Sequence, residues 1–232
     1  MTTLRTVLLL AFRSLPILLI SFIGFLAFGL GNTSLFYLLS GNMFIVPLLT
    51  YGFHLATATS PSIAMLRPND VAQLIAASPT TGKPYGTPVN VFPSYWMAQM
   101  SFIFGYIISN ATFMYMKPVD TSIMQGARST EAMKQLNDKV AARQGAALIF
   151  LLSNILFFLV IAAIRIFATD SETMPGFLLA VLLFGTLGGL WYWFAQTFLG
   201  ATNSDIFGIA MQMMSPTSAQ NKPVTCVYKA NP

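Results

Sequence analysis

The chain has 232 residues, of which 55% are hydrophobic and only 8% charged, with a formal net charge of +5. Soluble domains carry about 25% charged residues, so this composition excludes a water-covered globule and points to an integral helical membrane protein. The excess of Lys and Arg suits loops lying against anionic headgroups and implies no nucleic acid partner, and a single cysteine, Cys226, excludes an internal disulfide and a cysteine-based metal site.

Residues 1–13 read as a basic lead-in bracketed by Arg5 and Arg13, lying at the membrane interface with both guanidiniums reaching for phosphates. Arg13 interrupts the apolar run, and the stretch beyond it is too long for the core of a signal peptide, so an uncleaved first span is expected over about residues 14–30. Ser21, Gly24, Ala27 and Gly31 give that span a small face for close packing. Gly31-Asn32-Thr33 is turn chemistry. A second span, about 34–56, carries Pro47, where a kink is predicted.

Residues 57–93 form a long loop. Asn69 and Asp70 start a turn or two of helix, and the prolines at 79, 84, 88 and 93 then forbid one. The third span covers 94–116. The next loop, 117–144, contains Ser129 to Arg143, with Ser129 or Thr130 as cap and Glu131 in the first turn. Met133, Leu136 and Val140 make one apolar face, so this amphipathic helix can run into a fourth span at 146–167. A short acidic turn leads to a fifth span, 176–199. In the tail, 200–232, Ser204 is placed to cap an interfacial helix bearing Ile206, Ile209 and Met213. The expected fold class is all-α: a polytopic transmembrane helical bundle of about five spans in a single membrane domain, with interfacial amphipathic helices. Five spans put the N-terminus, the first long loop and the 168–175 turn on one side, and a slight excess of Lys and Arg places the 117–144 loop inside.

Ser101, Gly105, Ser109 and Thr112 form a small-residue stripe on the third span, and Gln99, Tyr106 and Asn110 a polar one. Such stripes serve either a solute path or helix packing. Packing is the preferred reading, because no Asp, Glu, Lys or His lies near the centre of spans three to five, where proton-coupled transporters place them. Asn154 and Gln196 are expected to pair with neighbouring helices. Gly185 and Gly189 form a GxxxG pattern suited to close helix contact within the chain or in a homo-oligomer. Arg165, near the end of span four, is expected to snorkel towards Asp170 or Glu172. His54 is the lone histidine, which reads as an interfacial structural residue and leaves no metal, cofactor or catalytic triad to assemble. The loop cations Arg67, Lys83, Arg128, Lys134 and Lys139 are candidate partner contacts.

The stretches FPSYWMAQ, GYIISNATFMY and KVAARQGAALIF resemble a family of small multi-spanning membrane proteins of large double-stranded DNA viruses, with chlorovirus-like giant viruses as the nearest analogy, and the likeness covers roughly Pro93 to Phe167. The resemblance implies a location in the virion inner membrane beneath an icosahedral capsid. It also implies a structural role connecting that membrane to minor capsid proteins, with no catalytic residues. The expectation is therefore a non-enzymatic membrane scaffold. The alternatives are a small channel or transporter using Gln99, Tyr106, Asn110 and Asn154, or an accessory subunit of a membrane energy-transducing complex.

Overall fold

A computed structural model describes residues 2–57, 65–66, 92–116, 130–168 and 172–206, and all regular structure among them is helical. The helices assemble into five rods. The first is α1, Thr2–Leu30. The second joins α2, Thr33–Ser40, through a π-helical turn at Gly41–Ile45 to α3, Val46–Thr57. The third is α4, Tyr95–Met116. The fourth is α5, Thr130–Ala163, closed by a π turn at Ile164–Ala168. The fifth joins α6, Met174–Ala180, through a π turn at Val181–Gly185 to α7, Thr186–Asn203.

Local chemistry explains most of these boundaries. The expected lead-in and first span are one continuous helix. Pro16 within it has no N–H for the carbonyl of Phe12, one turn back. Trp96 Nε1 donates to that carbonyl instead, at 2.6 Å, so the proline is accommodated by a tertiary contact. Gly31 takes a positive φ of 60°, and Asn32 caps α2 by accepting from the Leu35 N–H at 3.1 Å. Beside Pro47 stands the π turn, whose wider winding suits a residue that cannot donate to the turn before it. Ser94 caps α4, its hydroxyl accepting from Met97 N–H at 3.1 Å. The amphipathic segment predicted from Ser129 is continuous with the following apolar segment, giving a helix of 34 residues before the π turn.

At the end of the fifth rod, Gly200 breaks the helical backbone with φ 79°. Ser204 follows in a turn. The tail helix beyond it, the helix predicted near Asn69, and most of both long loops lie outside the described residues.

The rods run alternately up and down, and α4 is their axis. Thirteen of its 22 residues are buried, on opposite faces. Phe102, Ile103 and Tyr106 pack with Leu38, Val46, Phe184 and Tyr192. Trp96, Met100 and Phe104 pack with Phe158, Ile161 and Phe177. Among the described residues, three stretches are long and apolar enough to cross a membrane: Thr33–Ala56, Asn137–Ala168 and Met174–Gly200. The outward faces are apolar too. Phe25, Leu48, Leu156, Leu182 and Trp193 are all exposed, a surface suited to hydrocarbon and not to water.

Candidate functional site

The small residues of α4 meet the fifth rod at near-backbone distance. A Cβ on Gly105 would strike the carbonyl of Gly185, and one on Gly188 would strike the carbonyl of Phe102. A Cβ on Gly189 would come within 2.7 Å of Ser109 Oγ. Ser101, Gly105, Ser109, Gly185 and Gly189 thus share one seam, which floors an open groove of about 410 Å³ walled by Phe104 and Phe158. The GxxxG pair is used inside the chain, against α4. Gly188 is a residue that sequence reasoning missed, although its place beside Gly189 was a usable signal. A second close approach brings Gly41 against the Trp191 indole. Trp191 Nε1 donates to Tyr37 O at 2.8 Å, and the two rings stack at 5.1 Å.

Two polar clusters bracket this seam. The first lies at the start of α4. Arg165 pairs with Glu172 at 2.7 Å, and Ser94 Oγ donates to the same carboxylate oxygen at 2.6 Å. Both charged side chains are at most 3% exposed. Glu172 is thus the one of the two acids expected for Arg165 that it meets, but the pair is buried, with the Arg165 guanidinium carbon 4.4 Å from the centre of the Trp96 ring. Two helix dipoles favour the arrangement. Arg165 lies in the last turn of its rod, where positive charge is stabilised, and Glu172 lies at the capped N-terminus of α4, where negative charge is. Burial pushes the Glu172 carboxyl up from its ordinary value, while the Arg165 guanidinium and the Ser94 hydroxyl pull it back. Close by, His54 Nε2 is 2.8 Å from the Pro93 carbonyl, tying the end of α3 to the same point.

The second cluster joins the first hairpin, the later part of α4 and the end of α7. Ser34 Oγ donates to Ser204 O at 2.6 Å, and the Tyr106 hydroxyl donates to Ser34 O at 3.1 Å. Asn110 Nδ2 reaches Ser204 O at 3.4 Å, and Asn32 Nδ2 reaches Asp205 O at 3.4 Å. Between the clusters, Asn42 Nδ2 donates to the Gln99 carbonyl at 3.2 Å. Asn154 stands apart: its amide donates to Phe150 O of its own helix at 2.8 Å, not to a neighbouring helix. The polar set Gln99, Tyr106, Asn110 and Asn154 therefore does not share one face.

Lys134 and Lys139 are exposed on α5, while Arg67, Lys83 and Arg128 lie outside the described residues. Among the described residues, no group of three His, Cys, Asp or Glu is placed to hold a metal. Ser94, Glu172 and Arg165 are bound to one another across three chain segments, an arrangement that fastens helices together. A comparison with known protein families, curated proteins and solved structures finds no match to this chain.

Proposed function

We propose that this chain is a non-enzymatic scaffold of about five membrane spans, anchoring a larger assembly in the internal membrane of a virion. Its partners are the bilayer and, above it, proteins of the minor capsid type. The observation that carries the reading is the length of α5. Gln144 Nε2 meets Tyr115 O near the end of α4, at 3.5 Å. The 14 residues from Thr130 to Arg143 therefore continue past that level. At 1.5 Å per residue they rise about 21 Å beyond it. A helix that crosses the bilayer and continues as a polar arm presents a rigid handle to proteins outside it. Lys134 and Lys139 are exposed on that arm, and the polar clusters hold the rods beneath it in fixed register.

The test is site-specific crosslinking in the native assembly. Photoreactive residues at Lys134 and Lys139 are expected to capture a different protein of that assembly. Crosslinks to lipid alone, at both positions, would sink the scaffold reading.

A further inference from the structure

The groove floored by the α4 seam is a wedge between two outer rods. The rods meet at the end nearer Ser94, where Phe158 of α5 stacks on Phe177 of α6 at 6.1 Å. Beyond that contact the glycines of the fifth rod hold it at near-backbone distance from α4. On the other side Phe104 fills the space between α4 and α5, its ring 4.8 Å from that of Phe158. One rod therefore approaches α4 more closely than the other, and a gap of about 410 Å³ is left between them.

The position and lining of the gap narrow its occupant. It follows α4 from Ser101 to Ser109, eight residues that rise about 12 Å. Gly105, at its middle, is also near the middle of α4, so the groove lies near the centre of a bilayer that the rods cross. Every lining residue is uncharged. The Ser101 hydroxyl is buried beneath the floor, and the Thr186 hydroxyl donates to Leu182 O of its own helix at 2.6 Å. At the mouth stands Leu182, exposed to the hydrocarbon. A lipid headgroup finds no counter-charge here, whereas an apolar chain finds carbon on three sides.

Size separates a protein from a lipid. Over its length the groove has a mean cross-section of roughly 34 Å². A helix with its side chains is about 10–12 Å across and needs roughly 80–110 Å². A stable protein interface buries about 800 Å² on each partner, far more than a slot two helical turns long provides. A single hydrocarbon chain, one carbon wide, fits. Left empty, the slot would forfeit the dispersion contacts of its walls.

We propose that this groove binds one acyl chain of a membrane lipid by its terminal half, packed between α5 and the fifth rod over the glycine seam. The site requires a bilayer around the rods and does not depend on the scaffold role.

The experiment places the full chain in phosphatidylcholine vesicles with a trace of phosphatidylcholine spin-labelled near the methyl end of one acyl chain. Thr186→Phe sets a ring at the exposed rim of the groove and should remove one motionally restricted chain per protein. Leu48→Phe, at an exposed position on α3 that does not line the groove, should remove none. The loss should be confined to this label, because a label near the glycerol sits at a depth the groove does not reach. Thermal unfolding checks that each variant is folded, and Leu182→Trp replaces Thr186→Phe if that one is not. Equal losses in the groove and α3 variants, no loss in either, or an equal loss for the glycerol label would overturn the proposal. So would a structure of the native assembly with another protein's helix in the groove.

Discussion

Trp96 does two jobs at once. Its ring face receives the Arg165 guanidinium, and its indole N–H satisfies the Phe12 carbonyl that Pro16 leaves without a helical donor. Trp96→Phe keeps an aromatic face and removes only the N–H. It should destabilise the chain by about 1–3 kcal/mol, the range for a buried acceptor left unsatisfied. The same change in a Pro16→Ala background should destabilise it by less, because an alanine has the N–H that restores the i to i−4 bond to Phe12. Equal effects in both backgrounds, measured by denaturant unfolding in detergent, would sever the link between Pro16 and Trp96. None of this was legible in the sequence, because helical periodicity says nothing of which distant indole meets a given carbonyl. For Arg165 the sequence offers Asp170 or Glu172 as partner, and Glu172 is the one it meets; what helical spacing does not carry is the burial of the pair and the Trp96 ring beside the guanidinium.

Helix positions were more legible than helix contacts. The third span was expected at 94–116 and the helix is Tyr95–Met116, because Pro93 and Ser94 mark its start chemically. The three π turns among the described residues were not foreseen, since an extra residue in a turn leaves no compositional mark. All three touch α4: Gly41–Ile45 through Asn42, Ile164–Ala168 through Arg165, and Val181–Gly185 through Gly185. The small-residue stripe was visible, but not which of its glycines is indispensable. Gly105→Ala and Gly188→Ala drive a methyl into the backbone carbonyls of Gly185 and Phe102, which neither rigid helix can yield. Each should destabilise by about 1–3 kcal/mol or more, the usual cost of overpacking. At Gly185 the added Cβ meets nothing nearer than Ser101 O at 3.8 Å, an ordinary contact. Gly185→Ala should therefore be close to neutral, although it breaks the GxxxG pattern. A scan of the three variants by thermal unfolding separates contact geometry from motif: equal losses at Gly105 and Gly185 would favour the motif.

At the scale of the whole molecule, the order of apolarity runs outward. The buried axis α4 carries Gln99, Ser101, Ser109 and Asn110, and it is not among the three stretches apolar enough to cross a membrane by composition. It needs no such apolarity, because its neighbours shield it, and Tyr106 and Asn110 reach carbonyls of the first hairpin and of the turn after α7. Lipid-facing duty falls to the outer rods, and α5 shows it most clearly, with only 22% of its apolar window buried. Yet the same helix is polar at its start, where Lys134, Asp138 and Lys139 are exposed. If α5 leaves the bilayer near Gln144, two exposed positions on it must meet different solvents. Lys134 stands about 15 Å beyond Gln144 and Leu156 about 18 Å behind it, at 1.5 Å per residue. With Cys226 replaced by Ser, a cysteine from Lys134→Cys should react with a membrane-impermeant thiol reagent applied to both faces of a vesicle. One from Leu156→Cys, 64% exposed in the isolated chain, should stay unreactive until detergent replaces the lipid. Equal reactivity at the two positions would mean that α5 lies along the membrane surface, and the arm would then be no handle at all.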